Sequence, residues 1–228
     1  MKGLISFSLW GNDPRYIINI FKNLPAREKH YAGWDIRVYH EPDVPTEILK
    51  KLEEEGCQLV DMSQSPLHGM FHRFVAVDDD NYDAVIIRDA DSVLTSRESA
   101  AVSEWIESGK TIHSMRDAPP HNMKIQGGMW GCRPKLKNYS IEQEMLKHLD
   151  AFGKSYKHFS GYTWGDQTFM EQLMDAHHSE DDIIAHDDSL RHQDTQDVRV
   201  FPTKPRPRQH VGYPFIDFNE ENEDNNEN

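Results

Sequence analysis

Short apolar runs and longer amphipathic stretches alternate along the first half of the chain. Residues 4–10 form an apolar run of strand length closed by Gly11. Asp13 and Pro14 then supply a helix N-cap and a proline at the first helical position, and Ile17, Ile18 and Phe21 give the following helix an apolar face. Residues 36–39 read as a second strand, 45–55 as a helix closed by Gly56, and 58–62 as a third strand. A short helix over 68–77 leads into a central strand at 84–87. Strands alternating with helices imply parallel crossovers. The pattern predicts an α/β protein with a Rossmann-type, doubly wound, mostly parallel sheet flanked by helices.

The second half is less regular. Residues 99–107 read as a helix and 111–115 as a strand. The segment IQGGMWGCR, 125–133, has a strand's apolar residues, but Gly127 and Gly128 stand side by side within it. Paired glycines there mark a close backbone approach or a bulge. Helices are expected over 140–152 and 166–176, and an extended surface segment over 202–207, which holds three prolines. Residues 177–197 are rich in His and Asp without the ligand spacing of a zinc protease or an EF-hand, and read as a polar surface loop. No internal repeat is present. The expected organisation is one domain over 1–218 followed by a disordered acidic tail, 219–228.

Composition narrows the function. A chain of 228 residues buries enough surface for a core without disulfides or structural metal. The formal net charge is −14, and without the last ten residues the balance is still 34 acids to 25 bases. That argues against a general nucleic-acid binder, while leaving room for a small phosphorylated ligand in a local pocket. The two cysteines, Cys57 and Cys132, lack metal-like spacing and read as reduced core thiols. The N-terminal apolar run is too short for a membrane span and reads as a first strand, so a cytoplasm-like compartment is expected.

The stretch YDAVIIRDADSVL, 82–94, carries the candidate chemistry. Side chains two apart in extended chain point the same way, so Asp89 and Asp91 converge while Ala90 turns aside. Two carboxylates that close repel unless a positive charge lies between them. In open parallel sheets ligands bind beyond the carboxyl ends of the strands, where this pair is expected. Hard oxygen ligands suit Mg²⁺ or Mn²⁺, which bridges phosphate oxygens and neutralises a diphosphate leaving group. A solvated strand end with two exposed acids is the plain alternative.

VIIRDADSVL resembles the Asp-x-Asp motif of GT-A-fold glycosyltransferases, where it closes a central strand and holds the metal of a nucleotide-sugar. Arg73, upstream of it, is similar to the basic residue that glycogenin-like members place against the donor. QGGMWGC, with Gly127 and Gly128, resembles their small-residue strand beside the sugar. WGDQTFM, with Asp166 and Gln167, resembles an Asp-Gln element near donor sugar and acceptor, and HVGYP resembles the late segment whose histidine, here His210, completes the metal shell. The order of these motifs follows the family, whose members include small enzymes of large algal viruses, and for such an origin the compartment is the host cytoplasm. The family's late lysine is missing: Ile216 stands at its place, with Lys204, Arg206 and Arg208 nearby as substitutes.

The resemblance implies a metal-dependent enzyme moving a sugar from a nucleoside-diphosphate sugar, UDP-linked by expectation, to a glycan or other hydroxyl acceptor. Asp89, Asp91 and His210 would hold Mn²⁺ or Mg²⁺, and Arg73, Asp89, Gly127 and Gly128 the donor. Asp166 would position or deprotonate the acceptor, and Gln167 would stabilise charge near the anomeric carbon. Each has a plainer reading: surface histidine for His210, helix N-cap for Asp166, solvent-facing first turn for Gln167. Trp10 offers a ring to a nucleobase and Gly11 lets backbone approach a ligand; Trp130 and Trp164 are sugar-stacking faces or core. Two rival functions remain open. One is a haloacid-dehalogenase-like phosphatase with Asp89 as nucleophile and Asp91 as acid/base, although that motif ordinarily closes a first strand. The other is a nucleotide-sugar-binding protein without turnover.

Overall fold

The computed structural model describes residues 1–118, 121, 123–152, 165–188, 197–204 and 210–214. Its strands are β1 (Gly3–Leu9), β2 (Asp35–His40), β3 (Gln58–Asp61), β4 (Ala84–Arg88), β5 (Ile112–Arg116), β6 (Met129–Cys132), β7 (Ile183–Asp187) and β8 (Asp197–Arg199). The helices are α1 (Pro14–His30), α2 (Thr46–Glu54), α3 (Gly69–His72), α4 (Ser96–Ser108), α5 (Ile141–Phe152) and α6 (Gly165–His177).

The strands join in one sheet in the order β3-β2-β1-β4-β6-β5-β7-β8. Pairing is parallel from β3 through β4 and from β5 through β8, while β6 runs antiparallel to both its neighbours. The expected mostly parallel α/β sheet is therefore present, with β6 as its reversal. Alternate residues of β4 enter different cores: Val85 and Ile87 pack with Phe71, Phe74, Met145 and Phe169, whereas Ile86 packs with Ile20, Leu52 and Trp105. Helices α3, α5 and α6 thus cover one face, and α1, α2 and α4 the other. Strand order turns at β1 and β4, so the chain leaves their carboxyl ends in opposite directions and opens a crevice.

Three elements depart from the expectations. The short helix predicted over 68–77 is α only through His72; Arg73–Asp78 is a 3₁₀ turn. The reason lies in β1: the Arg73 N–H donates to Ser8 Oγ at 2.8 Å and its carbonyl accepts from Ser6 Oγ at 2.7 Å. The fourth helix begins three residues early, because Thr95 accepts from the Glu98 N–H at 3.2 Å and caps it.

The largest correction is the His- and Asp-rich stretch. Instead of a polar surface loop it contains β7, every residue of which is buried. Ile183 and Ile184 join the two cores, and the polar residues after them are paired. His186 lies 2.9 Å from His113 and 3.0 Å from Glu104, and Asp187 accepts from Arg116 at 2.9 Å. Cys57 and Cys132 are free and buried, as expected, and burial pushes their thiols up to about 11 and about 12. Pro202 and Thr203 are exposed, while the rest of that proline segment beyond Lys204 and the acidic tail lie outside the described residues. No helix among the described residues is long and apolar enough to cross a membrane.

Candidate active site

The site forms where β4 ends. Arg88, the last strand residue, turns inward: it donates to Glu98 at 2.6 Å and to the Trp130 carbonyl at 3.0 Å, and is almost wholly buried. It anchors the strand. The chain then turns outward with Asp89 and Asp91, and α1 fixes that turn. Asn23 donates to the Ser92 carbonyl at 2.9 Å and accepts from the Leu94 N–H at 2.9 Å, while Asn19 reaches the Asp91 carbonyl at 3.4 Å.

Arg73 is the centre of the arrangement. Its peptide group is held by Ser6 and Ser8 of β1, and its side chain is buried. The guanidinium donates to the Asp89 carboxylate and, at 3.4 Å, to Asp166 near the start of α6. Burial works against its charge, but the Asp89 and Asp166 carboxylates hold its pKa above the ordinary value. Asp166 has its own pKa raised by burial, with the Asp89 charge adding to the rise and Arg73 opposing it. A buried carboxylate with a raised pKa, paired to a cation, has the character of a general base.

Gly127 and Gly128 make room for this cluster. A Cβ on Gly127 would stand 2.5 Å from Asp166 Oδ2 and 3.1 Å from Gln167 Nε2, and one on Gly128 would fall upon the Asp89 carboxylate. The glycine pair is the close backbone approach read from the sequence. Arg73, Asp89, Asp166, Gln167, Gly127 and Gly128 thus come together from four separate stretches of chain.

Asp91 stands beside them, its side chain 14% exposed, with Arg15 Nε 3.3 Å from its Oδ2. Burial and then the Asp89 charge raise its pKa, and Arg15 lowers it less than those two raise it. Arg15 lies over the Tyr16 ring at 4.4 Å, and Tyr16 stacks with Trp10 at 6.1 Å. Trp10, half-buried at the end of β1, meets the His68 ring edge-on at 5.6 Å. Gly11 adopts φ 69° there, and its N–H donates to Asp43 at 2.9 Å.

The late segment reaches the same turn. Ser92 forms an isolated antiparallel bridge with Pro214, which ties residues 210–214 to the loop bearing Asp91. The Val211 N–H donates to Asp117 Oδ2 at 2.9 Å, and His210 lies edge-on to His121 at 5.3 Å. Burial keeps the His210 imidazole below its usual pKa and therefore neutral at pH 7, the form in which it binds metals. Among the described residues no three His, Cys, Asp or Glu side chains are already grouped to hold a metal. The donor chemistry nevertheless fits a divalent cation: two carboxylates one residue apart, the more buried one with its pKa raised by burial and by its neighbour's charge, and a neutral imidazole on the adjoining segment.

Several readings end differently. Trp130 is core, fully buried against Phe74 at 5.6 Å, and no sugar can stack on it. Lys204 is exposed, and Trp164, Arg206, Arg208 and Ile216 lie outside the described residues. Sequence reasoning missed Arg15, Asp117 and His121. Arg15 did leave a signal, since a cation in a first turn without acids opposes the helix dipole. Asp117 and His121 sit in a connection whose partners, Arg97 at 2.6 Å and the Asp117 N–H at 3.2 Å, are visible only in three dimensions.

No family model and no curated protein sequence matches the chain. Solved structures do. The glycosyltransferase GlyE of Streptococcus pneumoniae superposes with a TM-score of 0.55 at 19% identity, over 83% of this chain and 46% of its own. The galactosyltransferase LgtC, solved with donor and acceptor sugar analogues, gives 0.53 at 13% identity over 93% of this chain and 92% of its own. A mannosyltransferase from Pyrobaculum calidifontis, solved with GDP-mannose and Mn²⁺, gives 0.51 at 13% identity over 93% and 58%. The chain spans about half the length of the first and third of these and nearly all of the second. The fold is the GT-A fold.

Proposed function

We propose that the protein is a metal-dependent glycosyltransferase that moves a sugar from a nucleoside-diphosphate sugar, a UDP-sugar in the first instance, to a hydroxyl acceptor such as a glycan, with residues 1–218 as its catalytic domain. The observation that carries this reading is the Arg73 guanidinium joining Asp89 to Asp166 beside two glycines, at the end of the central strand of a GT-A sheet. LgtC and the mannosyltransferase, solved with sugar-donor ligands, support it by shape.

Asp89, Asp91 and His210 are the residues that would hold Mn²⁺ or Mg²⁺, which when bound supplies positive charge against the departing diphosphate. Arg73 donates to the donor and keeps Asp89 and Asp166 oriented. Asp166, buried and with a raised pKa, accepts a proton from the acceptor hydroxyl or hydrogen-bonds to it. Gln167 faces the same space from the next position on α6. Gly127 and Gly128 leave the room in which a sugar ring lies against backbone.

The phosphatase alternative draws no support from this fold, in which the acidic pair follows the fourth strand and an antiparallel strand adjoins it. A binding protein without turnover is separated from an enzyme by one assay. The protein is incubated with UDP-sugars and GDP-sugars in turn, with Mn²⁺ or Mg²⁺, and release of nucleoside diphosphate is followed. Slow donor hydrolysis that vanishes in Asp91→Ala is expected. Tight UDP binding with no release from any donor would favour the binding protein.

A further inference from the structure

We propose that Asp117 is a positioning residue of the metal site: its buried carboxylate, oriented by Arg97, fixes the late segment and so keeps His210 in place as a ligand. This deepens the metal-dependent reading of the site and rests on it. His210 lies on irregular chain, ahead of the turn at Val211 and Gly212 rather than on a helix or strand. A metal ligand has to be held to within about 0.5 Å by the groups around it, so bonds from elsewhere in the fold must fix this one. The nearest is the Val211 N–H, which donates to Asp117 Oδ2 at 2.9 Å. The bridge between Pro214 and Ser92 pins the segment further on.

The Asp117 side chain is 0% exposed, and both of its oxygens are taken. Arg97 donates from Nη2 to Oδ1 at 2.6 Å and from Nε to Oδ2 at 2.8 Å, the two-pronged geometry of a strong charge-assisted pair. With Val211 the carboxylate accepts three hydrogen bonds, which commits it to the segment and not to a cation. Arg97 is itself held from several sides. It donates to Asp188 Oδ2 at 2.5 Å and to the Thr203 carbonyl, and it lies over the Phe201 ring at 4.2 Å. Phe201 and Val211 share a small core with Met115 and Met129. One guanidinium thus ties the ends of β5 and β7 to Thr203 and, through Asp117, to Val211. The Asp117 backbone also sorts the two imidazoles beside it. Its N–H donates to His121 Nδ1 at 3.2 Å, so a neutral His121 carries its proton on Nε2 and has no lone pair left for a metal. Of the two rings, which meet edge-on at 5.3 Å, His210 is the one left to bind a cation.

A residue that acts through His210 has a signature that a merely structural one lacks: its loss matters only while His210 is present. The test is a double-mutant cycle of Asp117→Asn and His210→Ala. Calorimetry gives the Mn²⁺ concentration at which UDP binding is half-maximal, and thermal unfolding checks that each variant folds. Asp117→Asn alone is expected to raise that concentration about tenfold, and to add almost nothing in the His210→Ala background. Pulsed electron paramagnetic resonance of the Mn²⁺–UDP complex is expected to show an imidazole nitrogen coupling in the wild type that is absent from His210→Ala and weakened in Asp117→Asn. Arg97→Lys keeps a cation beside Asp117 without the fork that orients it, so the same dependence on His210 is expected in smaller degree; it carries the test if Asp117→Asn does not unfold cooperatively. An equal loss in both backgrounds, or an unchanged Mn²⁺ requirement in the folded variant, would overturn the positioning role. A wild type whose UDP binding needs no Mn²⁺, or is indifferent to His210→Ala, would overturn the metal reading itself, and this inference with it.

Discussion

Gly128 lacks a side chain where the Asp89 carboxylate needs the space, and a single methyl group there tests the site with little risk to the fold. Gly128→Ala displaces the flexible end of Asp89 from Arg73, and neither Gly127 nor Gly128 has a positive φ that would add backbone strain. The expected outcome is a loss of about ten- to hundredfold in UDP affinity with a nearly unchanged unfolding midpoint, read by calorimetry and thermal denaturation on the same sample. Asp91 gives a second residue-scale prediction. Its folded pKa is raised by burial and by Asp89, so its contribution to stability is present in full only below the unfolded carboxylate range and is lost as pH rises through the folded value. At pH 7 Asp91→Asn is expected to raise the unfolding midpoint of the ligand-free protein while abolishing its stabilisation by Mn²⁺. A lower midpoint would show that the ion pair with Arg15 outweighs burial and repulsion. The acidic pair was legible in the sequence because an apolar strand precedes it. Arg15 left only a weak mark, a cation in a first turn without acids, because Asp13-Pro14-Arg15 otherwise reads as an ordinary helix start.

At the scale of elements, α1 is more than a cover for the sheet. Two of its buried residues are asparagines, and Asn23 satisfies both the Ser92 carbonyl and the Leu94 N–H in the turn after β4. Asn23→Ala leaves both groups buried without that partner, and is expected to cost about 2–4 kcal/mol of stability in urea denaturation. Because the same turn carries Asp91, Mn²⁺ affinity should fall as well; a stability loss with metal affinity intact would separate the turn from the site. Legibility here followed period and length. The first four strands stood out because each is a compact apolar run bounded by turn residues. β7 was hidden, since only Ile183, Ile184 and Ala185 are apolar and the histidines and acids around them look like surface until Glu104, His113 and Arg116 arrive from β5 and α4. The 3₁₀ turn at Arg73 was equally hidden, because Ser6 and Ser8 that impose it lie more than sixty residues away.

Across the whole molecule, several described histidines are buried in the fold. Burial lowers the pKa of His72 and His178 to about 4, places His113 well below its usual range and lowers His186. These groups are neutral in the fold and take a proton on unfolding once pH drops below about 6.5. Their contribution is therefore complete above that pH and is lost as pH falls toward the folded values, with a slope of about 1.4 kcal/mol per pH unit for each proton taken up. Stability should begin to fall near pH 6.5, above the carboxylate range. Asp91 and Asp166, with raised values, oppose the trend as pH falls through their folded values. A flat profile from pH 7 to 5 would mean that these histidines are not neutral in the fold.

The central claim is that the acidic cluster at the end of β4 binds a nucleoside diphosphate together with a divalent metal. Thermal unfolding with UDP, with and without Mn²⁺, tests it most directly. Ligand at a hundredfold over its dissociation constant adds about 2.7 kcal/mol, which for a chain of this size shifts the midpoint by roughly 5–11 °C. The account predicts a shift of that order that requires UDP and Mn²⁺ together and disappears in Asp91→Ala. No shift with UDP, or the same shift with and without metal, would contradict it.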